Sequence, residues 1–580
     1  MHVVATAGHV DHGKSALVRA LTGMEPDRLA EERSRGLTVD LGFAWTELSD
    51  HVLAFVDVPG HERFVSNMLA GTGPVAAAMF VVAADEGWQA QSGEHLAALD
   101  AFGVRHGLLV VTKADRADPA PVLAQARDRI AATSLGRVHA VAVSARTGEG
   151  LDRLRQHLVA LADELPEPDR DADVRLWIDR AFTVRGAGTV VTGTLGAGTI
   201  GVGEQLRLGT GPRVTVRGLQ ALGQPRDEVD AVARVAVNLR GVDRGDVRRG
   251  DTLLTPGAWE HTREVDVRLR GAKSAEVHRG LVLHVGAAAV AARVRPLGTD
   301  TARLALAAPL PLRAGDTGLL RDPGQHRVPA GVDVLDPDPP PLRRRGAARA
   351  RAAELDERDD AVAAAYVRRH GAVPLSRLRA LGWHPPASRV GSFAVDERLL
   401  AELPGRAKQE FAAWRAREPL ASGLPVRSLR QTLAVPSEVL TAVLPQTGLE
   451  LRDGVLRDPG STENLPERID RAVREVERML DSCPFHAPEA DDLSRLGLGT
   501  RELAAAERAG RLLRVARGVV LAPRSLSRAR AVLTGLPQPF TVSQARKALD
   551  TTRRVAVPLL ERLDADGVTR RHDDGTRTLR

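Results

Sequence analysis

One cysteine, Cys483, stands in 580 residues, so neither an internal disulfide nor a thiolate metal cage can form and a cysteine-stapled scaffold is excluded. Long hydrophobic runs are missing too. The longest lies near Ala76 to Ala84, well short of the ~18 residues that cross a bilayer. Met1 to Ala7 lacks the cationic lead, apolar stretch and cleavage site of a secretory leader. A cytoplasmic chain without membrane contact is therefore expected. Lysine is nearly absent, 5 of the 81 basic residues, so the positive charge is carried by arginine. Hydrophobic residues at 43% and charged residues at 27% are ordinary for a folded protein, and the length implies three to five domains rather than one core.

Charge is placed unevenly. Residues 341–580 hold 42 Lys and Arg against 31 Asp and Glu, while the remaining 340 residues carry a net −4. Within that segment, residues 511–580 hold 15 basic and 6 acidic side chains, the footprint of a module that binds RNA or DNA.

Strand candidates His2 to Ala7, Val52 to Val58, Met79 to Ala84, Gly107 to Thr112 and His139 to Ser144 alternate with helix-period stretches, which predicts an α/β domain with a mostly parallel sheet over 1–170. After a second helical stretch at Gly150 to Glu164, the linker Pro166-Glu167-Pro168-Asp169 closes it. Short β-branched runs punctuated by glycine from Val174 to about Val334 predict two β-barrels, 174–258 and 259–336, jointed within Thr252 to His261. A Pro/Arg linker follows at 337–346. Beyond it, a helix, a glycine and an apolar-basic hairpin recur at Ser437 to Pro459, Thr500 to Pro523 and Arg553 to Arg580. With helices upstream, that unit is a winged helix. About four such α+β domains are expected over 347–580, the last at about 525–580.

Gly8-His9-Val10-Asp11-His12-Gly13-Lys14-Ser15 fits the phosphate-loop pattern, directly after a strand and before a helix. Backbone N–H groups would wrap the β-phosphate, Lys14 would reach the β- and γ-phosphates, and the Ser15 hydroxyl would ligate Mg²⁺. Thr112-Lys113-Ala114-Asp115 ends a strand. Its carboxylate, Asp115, can accept from the N1–H and 2-amino group of guanine, which adenine lacks, and Ser144-Ala145-Arg146 offers a backbone N–H to the guanine O6. Thr112 stands where asparagine is usual in GTPases. In Asp57-Val58-Pro59-Gly60-His61, Asp57 would hold Mg²⁺ through water, the Gly60 N–H would meet the γ-phosphate and His61 would orient the attacking water. Thr38, in Arg35-Gly36-Leu37-Thr38, is the residue expected to close over Mg²⁺ only when the γ-phosphate is present. GTP or GDP with Mg²⁺ are thus the expected ligands, and GTP hydrolysis the expected reaction.

These motifs, in this order, resemble the translational GTPases, and Ile178-Asp179-Arg180-Ala181-Phe182-Thr183-Val184 through Gly193 is similar to the opening of the second domain of elongation factor Tu. Val39-Asp40-Leu41-Gly42, Asn67-Met68-Leu69-Ala70-Gly71 and the winged-helix tail resemble the bacterial selenocysteine-specific elongation factors. The resemblance implies a chain that carries selenocysteyl-tRNA to the ribosome as a GTP complex, its tail holding a messenger RNA hairpin beside a UGA codon. A selenol is largely anionic at neutral pH, so its pocket needs fixed positive charge. Alignment with elongation factor Tu puts Arg234 at the aminoacyl pocket, with Asp179 and Arg180 on the facing strand. In the tail, Arg546, Lys547, Arg553 and Arg554 cluster at the turn into a candidate recognition helix, and Arg570 and Arg571 lie on the wing. A monomer is expected. Two rival readings stay open: an RNA-binding regulator timed by a GTPase domain, and another translational GTPase such as initiation factor 2.

Overall fold

The computed structural model describes every residue except 27–39, 60–64, 73–74, 187, 326, 358 and 460–464. They form two compact units, Met1–Ala387 and Ser388–Arg580. The first unit opens with β1 (His2–Ala7), α1 (Lys14–Thr22), β2 (Gly42–Leu48), β3 (His51–Asp57), α2 (Val65–Thr72), β4 (Ala77–Ala83), α3 (Ala90–Phe102), β5 (His106–Thr112), α4 (Ala120–Ala131), β6 (His139–Ala142) and α5 (Leu151–Glu164). Sheet order is β2-β3-β1-β4-β5-β6. The pair β2–β3 is antiparallel and the others are parallel. All seven residues of β4, Ala-Ala-Met-Phe-Val-Val-Ala, are buried, as a central strand covered by helices on both faces requires. One apolar cluster, with Phe80, Leu99 and Ile130, fills one face, and another, with Leu17, Phe55 and Leu158, fills the other. The nucleotide motifs therefore fall on loops at the carboxyl ends of β1, β3, β5 and β6, where open α/β sheets bind ligands.

Two barrels follow. Strands β7 (Arg175–Val184), β8 (Gly188–Leu195), β9 (Gln205–Leu208), β10 (Arg213–Ala221), β11 (Ala233–Arg240) and β12 (Thr252–Leu254) run in the order β9-β12-β7-β8-β11-β10, and a β9–β10 pairing closes them. Alternate residues of β11 are buried, the period-2 pattern of a strand with one face in a core. Strands β13 (Thr262–Arg270), β14 (Gly280–Val285), β15 (Ala288–Pro296), β16 (Thr301–Leu310), β17 (Thr317–Asp322) and β18 (Arg327–Asp336) form a closed barrel in the order β13-β16-β15-β14-β17-β18. At the joint between barrels two guanidiniums lie over the Trp259 ring, Arg313 at 3.5 Å and Arg175 at 4.5 Å from its centre. Arg175 is also held by Asp316 and Arg313 by Asp173. One cation from each barrel over a single ring links the barrels to each other.

The helix Ala347–Leu355 is tied to the second barrel by a buried ionic cluster. Arg303 donates to both oxygens of Asp266, at 2.7 and 3.0 Å, and Arg351 bridges Asp266 and Asp336. None of the four is more than 5% exposed. Burial pushes the Asp336 carboxyl up to about 6 against the opposing pull of Arg351.

The second unit repeats three helices and a hairpin. Helices Glu397–Arg417, Val426–Leu433 and Ser437–Thr447 precede the hairpin Glu450–Arg452 and Val455–Arg457; Glu467–Ser482, Ala490–Arg495 and Thr500–Arg508 precede Leu513–Ala516 and Val519–Leu521; Ser525–Thr534, Val542–Ala548 and Arg553–Ala565 precede Thr569–Arg571 and Arg577–Leu579. The last two share one apolar core, in which Val476 and Leu521 join Phe540 and Leu559.

Candidate functional site

The loop between β1 and α1 takes its shape from three positive φ angles, at Gly8 (137°), Asp11 (61°) and Gly13 (78°). Gly13 is the N-cap of α1, so the first backbone N–H groups of that helix face the loop, a ready anion site. Lys14 donates from Nζ to the carbonyls of Gly8 (3.0 Å) and His9 (2.7 Å), which parks its charge inside the loop. Burial, with a smaller push from Lys14 and His9, lowers the His12 imidazole to about 4, so this ring is neutral at physiological pH.

At the end of β3, Asp57 is fully buried. It accepts from the Ser15 hydroxyl at 2.6 Å and the Thr6 hydroxyl at 2.7 Å. Burial raises its carboxyl above the ordinary range, opposed by the Lys14 charge and the two hydroxyls. A buried carboxylate and a hydroxyl in contact are hard oxygen donors that fit Mg²⁺. Among the described residues no group of three His, Cys, Asp or Glu could hold a metal, so phosphate oxygens and water would complete the shell. Thr38, Gly60 and His61 lie outside the described residues.

On the base side, Thr112 solves the problem posed by the missing asparagine. Its hydroxyl donates to the His12 carbonyl at 2.6 Å, a buried bond that ties the end of β5 to the phosphate loop. Lys113 pairs with Glu86 at 2.5 Å and Asp85 at 3.2 Å. Asp115 accepts from the Ser144 hydroxyl (2.7 Å) and from Arg146 Nε (2.9 Å), which hold its carboxyl below the usual range. The Ser144 N–H is taken by the Glu149 carbonyl. The side chain of Arg146 is 75% exposed, so it can swing away and yield its edge of the carboxylate to an incoming base.

A crevice of about 230 Å³ lies between β2–β3 and the first barrel, lined by Phe43, Trp45, Arg180, Phe182 and Arg234 among others. Asp179 and Arg180 are on β7 and Arg234 on β11, with β8 running between them. Arg234 reaches across β8 to form a bidentate pair with Asp179, which Thr192 also holds. Its guanidinium stacks 3.9 Å from the centre of the Phe43 ring. Arg180 donates to Asp40 at 2.7 Å and the Leu41 carbonyl at 3.2 Å. The structure thus gathers both arginines into one crevice, each with a carboxylate partner that the sequence did not disclose.

In the tail, Arg546 is half-buried and Lys547, Arg553, Arg570 and Arg571 are exposed around the last helix-plus-hairpin. Arg554 behaves otherwise. It donates to the carbonyls of Gly518, Ala487 and Pro488 and pairs with Glu489, so it braces the last three-helix unit against the one before it.

Comparison with known proteins places these sites in a family. The model for the elongation factor Tu GTP-binding domain matches residues 1–164 and that for elongation factor Tu domain 2 matches 188–254. Elongation factor Tu 2 of Streptomyces avermitilis is 35% identical over 292 residues, covering 46% of this chain and 75% of that protein. The chain belongs to the elongation factor Tu family of translational GTPases. Within the family its likeness is to the selenocysteine-specific members. The model described as "Selenocysteine-specific elongation factor, beta-barrel domain" matches 262–341, and that described as "Elongation factor SelB, winged helix" matches 531–578. The selenocysteine-specific elongation factor of Escherichia coli K12 is 41% identical over 352 residues, 59% of this chain and 56% of that protein. The chain matches just over half the length of the first curated relatives. A crystal structure of a bacterial selenocysteine-specific elongation factor superposes with a TM-score of 0.77 at 25% identity, covering all of both chains. The motifs do not announce His95, whose ring accepts from the Gly8 N–H. No motif marks a histidine 87 positions further along the chain.

Proposed function

We propose that this translational GTPase delivers selenocysteyl-tRNA to the ribosome at UGA codons as a GTP complex, while its last winged-helix domain, about 525–580, holds a hairpin of the messenger RNA. The observation that carries the reading is the crevice beside β2, which sets two guanidiniums, Arg180 and Arg234, against an aromatic wall. A selenolate brings the charge those cations match, whereas the hydroxyl of a serine ester brings none. The ion pairs with Asp40 and Asp179 hold the guanidiniums in place until the aminoacyl group arrives.

GTP enters the loop 8–15, and the phosphates draw the Lys14 ammonium from the Gly8 and His9 carbonyls, while the helix N–H groups after Gly13 meet the β-phosphate. Guanine replaces Arg146 on Asp115 and meets a backbone N–H of 144–146. Ser15, Thr38 and, through water, Asp57 would hold Mg²⁺, which would supply charge neutralisation on the phosphates. His61 orients a water for attack on the γ-phosphorus, the bond to the bridging oxygen breaks, and GDP leaves with the electron pair. Loss of the γ-phosphate releases Thr38 and with it the grip on tRNA.

Arg180→Met tests the pocket cleanly, because Arg180 and Asp40 are about one-third exposed and losing so open a pair costs little stability. The variant is expected to bind GTP as the parent does and to lose protection of selenocysteyl-tRNA against deacylation. Protection equal to the parent's would remove Arg180 from the pocket.

A further inference from the structure

We infer that His95 is a positioning residue of the nucleotide site: it anchors the phosphate loop through Gly8 and so sets how long the nucleotide stays bound. The inference rests on the reading of residues 8–15 as the nucleotide-binding loop.

His95 lies on the second turn of α3 and is 2% exposed. Its Nδ1 accepts from the Gly8 N–H at 3.0 Å. An acceptor at Nδ1 means that the ring is neutral with its proton on Nε2, and burial together with the facing charges of Lys14, His9 and His12 pushes the imidazole down to about 3. Gly8 has no room to shift. Its φ of +137° suits only glycine, and a Cβ there would stand 2.1 Å from the Val81 carbonyl oxygen, so the loop is wedged between β4 and α3. One turn before His95, Gln91 presents Oε1 to the Val10 N–H at 3.5 Å, a longer contact on the same helix face.

The helix that carries the ring is itself fixed. At its far end the Ala101 carbonyl accepts from Arg270 of the second barrel at 2.7 Å, and Gly331 lies so close to that carbonyl that a Cβ would stand 2.4 Å away. The ring therefore cannot follow a loop that drifts. Lys14 now holds the Gly8 carbonyl, but bound phosphates would draw that ammonium away. In the occupied loop, His95 is then the side chain that keeps Gly8 in place.

Removing the acceptor leaves a buried N–H without a partner, and the loop can recover a bond only by rearranging. Release of a fluorescent GDP analogue, followed by stopped flow on the full chain, is expected to be about tenfold faster for His95→Ala. In His95→Asn the side-chain oxygen takes the position of Nδ1 and should restore slow release. In His95→Gln the oxygen sits one bond further out and should not, and this variant keeps enough bulk to serve if His95→Ala fails to fold. Release at the parent rate from His95→Ala or His95→Gln would overturn the inference. So would an Asn variant that releases as fast as the Gln variant while unfolding at the parent temperature without nucleotide. A parent that binds no GTP would instead defeat the reading of the loop.

Discussion

Asp115→Asn is the sharpest perturbation of base recognition. In the structure the Asp115 carboxylate is held by the Ser144 hydroxyl on one oxygen and Arg146 on the other. Guanine would exchange the Arg146 contact for two hydrogen bonds to a charged acceptor, from N1–H and the 2-amino group. Such bonds contribute ~1.5–3 kcal/mol each. Displacing Arg146 costs little, because an ion pair with so exposed a partner is worth about 0–1 kcal/mol. The substitution turns one acceptor into an amide donor facing the 2-amino group, so GTP affinity should fall by ~10²-fold or more. Xanthosine triphosphate, whose 2-oxo group accepts where guanine donates, should become the preferred nucleotide. The check is a competition titration of both nucleotides against parent and variant, with Arg146→Ala as a control expected to stay within a few-fold of the parent. Unchanged preference for GTP in Asp115→Asn would refute the assignment of Asp115 to the base.

His61→Ala should slow ribosome-stimulated hydrolysis by ~10²-fold and leave GTP affinity intact, as measured by single-turnover kinetics on ribosomes; hydrolysis at the parent rate would remove His61 from the mechanism. Lys547→Ala, Arg553→Ala, Arg570→Ala and Arg571→Ala should each weaken hairpin binding by about 1 kcal/mol and flatten the logarithmic salt slope by ~0.7–0.9. Arg554→Ala should lower the melting temperature more than it changes that slope, because its guanidinium is engaged by carbonyls of the neighbouring unit. Asp336, raised to about 6 when folded against ~3.9 unfolded, stabilises the fold below pH ~4 and loses that contribution as pH rises through about 6. The difference in melting temperature between parent and Asp336→Asn should vary with pH across that window and be flat above it.

The fold was legible because its signals are local. The apolar run near Ala76 to Ala84 reads as a strand of a mostly parallel sheet, the glycine-punctuated β-branched runs read as barrels, and the helix-glycine-hairpin repeat reads as winged helices. The loop at Gly8–Ser15 was legible for the same reason, since its glycines and lysine are contiguous. What the sequence hid is long-range pairing. Nothing in Asp179, Arg180 and Arg234 tells that one arginine is bidentate to Asp179 and the other is held by Asp40, or that β8 separates their strands. Arg553 and Arg554 both belong to the basic cluster at the turn into the last long helix, but helix rotation turns the two side chains about 100° apart, and Arg554 meets the preceding unit. The shared core of the last two units has a practical consequence. Deleting 525–580 would remove part of that core, so point variants on the surface are the sound test of RNA binding.

The proposed selective delivery of selenocysteine rests on charge in the crevice at Arg180 and Arg234. The direct measurement charges one and the same tRNA body either with selenocysteine or with serine and follows deacylation in the presence of GTP-loaded protein. Slowed deacylation of the selenocysteyl ester alone, lost when GDP replaces GTP, is the predicted result. Equal protection of the seryl ester would contradict it, since an uncharged hydroxyl would then be held as well as a selenolate.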